Sequence, residues 1–162
     1  MALKVLFIGG TGTISSACSQ LAVERGIDLT LLNRGQTARP IPEGAHVLQG
    51  DIRDHASVEQ IIGSQTFDAV VDWVAFTPRH VEADIAFFRG RTGQYVFISS
   101  ASAYHKPIRS LPVTESTPLH NPFWDYSRAK IACEERLVQA YREDGFPVTI
   151  AVSYTHLTLP TN

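Results

Sequence analysis

The run Lys4-Val5-Leu6-Phe7-Ile8 passes straight into Gly9-Gly10-Thr11-Gly12 and then into a helical pattern over residues 15–26, and this order leaves the chain few folds. Apolar β-formers without alternation predict a strand buried on both faces. The following segment reads as a helix closed by Gly26. Strand, tight turn and helix form the first half of a βαβ unit, in which a crossover joins parallel strands. Glycines permit the turn and a close backbone approach, and the N-terminus of the helix attracts an anion such as a pyrophosphate. The Gly9-x-x-Gly12 spacing places Ser15 where a third glycine is expected, so a side chain intrudes where helix and strand pack. The same order also occurs in units that bind no nucleotide.

The alternation of strand and helix continues along the chain. Asp28-Leu29-Thr30-Leu31-Leu32, residues 46–51, 67–74 and 94–100, and a segment beginning at Pro147 read as further strands. Helical spacing is expected over 57–62, 81–88 and 126–144. Repeated βα units of this length predict an α/β fold with a doubly wound parallel sheet, Rossmann-like. Ligands of such sheets lie at the carboxyl ends of the strands. Gly9 to Gly12, Asn33 and Arg34, Asp51 and Ile52, Ala75 and Ser100 all fall at those ends.

Two pairs of residues sharpen the chemistry. Tyr126 and Lys130 stand four apart on a predicted helix and share one face. An ammonium beside a phenol favours the phenolate, which makes such a pair a proton-transfer group for a carbinol or carbonyl. In dinucleotide folds the residue after the second strand reads the adenosine ribose, with an acid for a free 2′-hydroxyl and an arginine for a 2′-phosphate. Here Asn33 carries no charge and Arg34 offers a fork of donors, which favours NADP, with NAD as the alternative.

Composition narrows the partners. The chain has 162 residues, enough for a real core, and no apolar run long enough to span a membrane. Net charge is -2 and no basic cluster occurs, which gives nucleic-acid binding no support. The six histidines lack ligand spacing, so no metal site is expected. Cys18 and Cys133 fall in predicted helices and read as reduced thiols of a cytoplasmic protein.

Gly9-Gly10-Thr11-Gly12-Thr13-Ile14, Asn33-Arg34-Gly35, Gly50-Asp51-Ile52-Arg53-Asp54, Ile98-Ser99-Ser100-Ala101-Ser102-Ala103-Tyr104, and Tyr126 with Lys130 together resemble the cofactor-binding part of the extended short-chain dehydrogenases/reductases, the NAD-dependent epimerase/dehydratase family. The resemblance implies an oxidoreductase or epimerase acting at a secondary alcohol or ketone of a small molecule, such as a nucleotide sugar. It implies Tyr126 as catalytic acid/base, Lys130 as the residue that tunes it and binds the nicotinamide ribose, and Ser100 as the hydroxyl that holds the reacting oxygen. Gly9, Gly12, Thr13, Ile14, Asn33, Arg34, Asp51, Ile52 and Ala75 would contact the cofactor. Thr13 stands where the family usually has an aromatic residue. Ala101-Ser102 stands where sugar-nucleotide 4,6-dehydratases carry an Asp-Glu pair, which disfavours water elimination. Atypical relatives that act as nucleotide sensors, scaffolds or RNA-binding proteins form the alternative reading.

The C-terminus carries a different signal. Val152-Ser153-Tyr154-Thr155-His156-Leu157-Thr158-Leu159-Pro160-Thr161 resembles the translation of a transposase-type sequencing adapter. The expected organisation is therefore an incomplete dinucleotide-binding domain over 1–150 and a non-native tail over 151–162. The family's remaining C-terminal strands and substrate domain would belong to a longer parent, with homodimerisation a property of that parent.

Overall fold

The structure is a computed structural model that describes residues 2–36 and 38–153. Six parallel strands form one sheet: β1 (Lys4–Ile8), β2 (Asp28–Asn33), β3 (His46–Gln49), β4 (Ala69–Asp72), β5 (Tyr95–Ser100) and β6 (Val148–Ser153). They lie in the order β3-β2-β1-β4-β5-β6, so the winding reverses between β1 and β4. That reversal is the doubly wound topology expected from the sequence, and it opens a crevice at the carboxyl ends of β1 and β4.

Side-chain alternation along β1 divides the core. Val5 and Phe7 join Leu29, Leu31 and Ala22 on one face, where α1 (Ser15–Glu24) packs. Leu6 and Ile8 face the larger cluster, which takes Val58 and Ile62 from α2 (His55–Ile62), Val81, Ile85 and Phe88 from α3 (Pro78–Phe88), and Leu137 and Ala140 from α4 (Asp125–Asp144). Helix α4 buries Ser127, Lys130, Cys133, Glu134, Leu137 and Ala140, a stripe at steps of three and four residues. Gly145, with φ +66°, ends it in the left-handed region. Both cysteines are free, and burial pushes the Cys133 thiol up to about 12, leaving it protonated at neutral pH.

Element ends depart from the sequence reading for local reasons. Helix α2 begins at His55 rather than Ser57, because the Asp54 carboxylate accepts the Ser57 N–H at 3.2 Å and caps the first turn. Helix α3 begins at Pro78 rather than Val81, since proline suits a first turn whose N–H groups lack helical partners. Strand β4 stops at Asp72, where the side chain turns back onto its own backbone. Strand β6 runs beyond Ile150 through Ser153, pairing with β5 to the Ser100–Ser153 step. The rest of the expected tail, 154–162, lies outside the described residues.

Candidate functional site

A cleft of about 600 Å³ runs across the carboxyl ends of the strands. At one end lies the glycine turn. Gly9 (φ +103°) and Gly10 (φ +97°) occupy the left-handed region, and a Cβ at Gly10 would stand 2.7 Å from Leu31 Cδ2. The turn is tied to α1 by Ser19 Oγ, which donates to the Gly10 carbonyl at 2.8 Å. Ser15, in the third-glycine position, is buried, and its Oγ accepts the Gly12 N–H at 2.8 Å. The Ser15 side chain thus braces the turn instead of intruding on it. Thr13 and Ile14 line the cleft, and Arg39 Nη2 donates to Thr13 Oγ1 at 3.2 Å.

The wall beyond β2 and β3 is polar. Asn33 Oδ1 accepts the Gly35 N–H at 2.9 Å, while Asn33 Nδ2 is buried without a partner. Trp73 Nε1 is a second such buried donor, and both residues line the cleft. Buried donors without acceptors are rare in folded proteins, and the cleft holds two of them. Arg34 is exposed at the rim, with Nη1 3.9 Å from Asp51 Oδ2. Asp51 Oδ1 accepts the Arg53 N–H at 2.9 Å, and Ile52 is buried beneath the wall.

The far end is made of side chains. Lys130 is only 2% exposed, and its Nζ donates to the carbonyls of Ala75 and Ile98, both at 2.7 Å. The same ammonium lies 4.4 Å from the Phe97 ring centroid, 5.0 Å from Phe76 and 5.9 Å from Tyr126. Among the described residues no carboxylate lies within 4.0 Å of it, so carbonyl dipoles and ring faces stabilise the charge. Burial holds the ammonium below the usual lysine range, against the opposing pull of Cys133, Asp72 and Glu134. Tyr126 is half-buried, with its ring 4.8 Å from Trp124 and 6.4 Å from Phe76. Ser99 lines the cleft and donates to Glu134, whose carboxyl is raised by burial.

Of the residues singled out in the sequence, Gly9, Gly12, Thr13, Ile14, Asn33, Arg34, Asp51, Ile52, Tyr126 and Lys130 all line this one cleft. Ala75 is fully buried and contributes its carbonyl to Lys130. Ser100 is half-buried at the end of β5, with its hydroxyl 2.9 Å from Ser102 Oγ and accepting the Ser102 N–H at 3.2 Å. Of the nearby aromatic residues, Trp73 and Phe76 line the cleft, whereas Phe123 and Trp124 are exposed outside it. Sequence reasoning gave no role to Arg53, Val74, His80, Ser99 and Ser153, which also line it. Adjacency to Ser100 could have found Ser99, and Arg53 lies in the motif that follows β3; nothing local marks His80.

A doubly wound sheet with a glycine turn at the reversal and a Tyr–Lys pair across the crevice defines the extended dinucleotide-fold class. The chain matches the NAD dependent epimerase/dehydratase family over residues 5–160, and it belongs to that family. It is 32% identical over 166 residues to a UDP-glucose 4-epimerase of Lactobacillus helveticus, covering 91% of this chain and 50% of that protein. It is 28% identical over 116 residues to the chloroplast stem-loop binding protein of 41 kDa b of Arabidopsis thaliana, covering 64% of this chain and 30% of that one. The fold is also that of a UDP-glucose 4-epimerase from Bifidobacterium longum solved in complex with NAD+ and UDP. That match has a TM-score of 0.78 at 20% identity, covering 90% of this chain and 51% of the other. The chain therefore spans about half the length of the epimerases it resembles. No helix among the described residues is long and apolar enough to cross a membrane.

Proposed function

We propose that this chain is the dinucleotide-binding part of an NAD(P)-dependent epimerase or oxidoreductase that acts at a secondary alcohol or ketone. The observation that carries this reading is the single cleft joining the glycine turn to Tyr126 and Lys130. One ligand that spans it would lay its pyrophosphate on the backbone at the start of α1. Its adenosine would lie on the Asn33, Asp51 and Ile52 wall, and its nicotinamide would approach Tyr126.

When bound, the nicotinamide supplies the hydride chemistry. The protein's own part is to position and to move one proton. Tyr126 Oη takes the proton from the carbinol as hydride leaves carbon, or returns it in reverse. Lys130, fixed by two carbonyls, keeps a positive charge beside the phenol and offers its remaining N–H to a ribose hydroxyl. Ser100 holds the reacting oxygen. Exposure of Arg34 at the rim beside uncharged Asn33 supports a preference for NADP over NAD. The substrate class follows the UDP-sugar epimerases among the relatives, and the rest of a longer parent would select the sugar.

Fluorescence titration of the protein with NADPH and NADH tests the reading. Saturable binding, tighter for NADPH, is expected; failure of both to bind would overturn it. The stem-loop binding relative favours a second reading, in which a family member binds RNA. Retention of a structured RNA in a gel-shift assay, with no dinucleotide binding, would install that reading instead. We also propose that residues 151–162 are appended by an adapter sequence; a native stop codon directly after Asn162 in the genomic DNA would contradict this.

A further inference from the structure

Two aspartates lie behind the cleft wall. Asp72, at the end of β4, and Asp84, in α3, are each 1% exposed. Asp72 Oδ1 accepts the N–H groups of Val74 at 2.6 Å and Ala75 at 2.8 Å. Tyr95 Oη lies 3.2 Å from Asp72 Oδ2 and 3.0 Å from Asp84 Oδ2. Arg53 Nη1 donates to Asp84 Oδ1 at 3.3 Å, and its Nη2 lies 3.8 Å from Asp72 Oδ2. Nη2 also donates to the Val74 carbonyl at 3.1 Å.

The inventory does not close with both carboxyls ionised. A phenol has one proton, so Tyr95 can donate to only one of the two acids. The other contact then requires a carboxylic O–H. Two ionised carboxylates on one phenol and one guanidinium would also repel each other in a buried site, which disfavours the second charge. Apart from the shared Tyr95, Asp72 accepts two backbone N–H hydrogen bonds and has Arg53 Nη2 3.8 Å away, whereas Asp84 accepts one hydrogen bond, from Arg53 Nη1, which assigns the negative charge to Asp72 and the proton to Asp84.

We propose that Asp72 and Asp84 share a single proton and form a positioning pair for the cleft, with Asp72 setting the backbone turn at Val74 and Ala75 that seats Lys130. The Ala75 residue links them: its N–H is held by Asp72 and its carbonyl by Lys130 Nζ. Burial first, and then the Asp72 charge, hold the Asp84 carboxyl well above the usual range, against the pull of Arg53 and the Tyr95 hydrogen bond. The other groups whose charges act on the pair are His80 on α3, whose pKa is lowered by burial and by Arg53, and Lys130 and Cys133 on α4. The functional consequence, though not the proton itself, rests on the cofactor reading above.

The sign follows from the raised value. A carboxyl protonated in the fold stabilises it below the ordinary aspartate range, and that stability is lost as pH rises through the folded-state value. Infrared spectra of the protein, melting curves against pH and NADPH titration against pH would be recorded for wild type, Asp84→Asn and Asp72→Asn. A carboxylic C=O band is expected in wild type at neutral pH and is removed by Asp84→Asn, whose amide replaces the protonated acid. Asp84→Asn keeps neutral-pH affinity close to wild type and loses the decline in stability and affinity at higher pH. Asp72→Asn weakens NADPH by about tenfold or more, because the turn under Lys130 loses its charged acceptor. Absence of a band that Asp84→Asn removes would overturn the pair, even if Asp72→Asn fails to fold. So would an affinity loss in Asp84→Asn equal to that of Asp72→Asn. Failure of wild type to bind any dinucleotide would overturn the cofactor reading alone, because the band and the melting curves still decide the pair.

Discussion

The glycine-turn end of the cleft is shaped by backbone conformation, whereas the Tyr126–Lys130 end is shaped by side chains carried on α4. The backbone end is held by short-range devices: positive φ at Gly9 and Gly10, Ser15 on the Gly12 N–H, and Ser19 on the Gly10 carbonyl. The other end depends on long-range contacts, in which Lys130 reaches carbonyls 55 and 32 residues away. A backbone site tolerates many side chains around it and fails mainly through sterics. A side-chain site fails when any member of its supporting network is lost. The two ends should therefore respond to substitution in different currencies, one in stability and the other in turnover.

The largest effect is expected at the side-chain end. In a full-length parent, Tyr126→Phe removes one hydroxyl and should lower turnover by about 10²–10⁴ while leaving dinucleotide affinity near wild type. Steady-state kinetics beside a fluorescence titration would check both halves; unchanged turnover would remove Tyr126 from the chemistry. At the backbone end, Gly10→Ala should cost about 2–4 kcal/mol of stability, combining the left-handed conformation with the clash at Leu31. Gly90→Ala, with φ +72° but nothing within 4 Å, should cost only about 1–2 kcal/mol. Urea unfolding of the two variants separates strain from crowding, and equal losses would show that the turn is not tight. Smallest is the rim. Arg34→Ala should cost about tenfold in NADPH affinity and leave NADH unchanged, because one exposed charge is removed from one phosphate. Equal loss for both dinucleotides would move Arg34 off the 2′ position.

The same contrast explains what was legible in the sequence. The strand–turn–helix at the N-terminus, the parallel order of strands and the Tyr126–Lys130 spacing are written in adjacent residues, and the structure brings them to one cleft. Ser15 was legible as a departure but not as a brace, because its hydroxyl acts on a backbone N–H three residues back. Arg53, Asp72, Asp84 and Tyr95 were not legible as a group. They come from a loop, a strand end, a helix and the next strand, and only packing makes them neighbours. Strand β4 was read too long for the same reason, since the Asp72 carboxylate that ends it acts through a side chain and not through composition.

That the two ends belong to one dinucleotide site is the central claim, and fragments of the ligand test it most directly. Dissociation constants of adenosine 2′,5′-bisphosphate and of intact NADPH would be measured for wild type and Lys130→Met. The adenosine fragment reaches only the glycine-turn end, so its affinity should not change. Intact NADPH should bind Lys130→Met about tenfold more weakly, the loss of one charge-assisted contact. NADPH affinity unchanged by Lys130→Met, or both ligands weakened alike, would contradict a single cleft read from both ends.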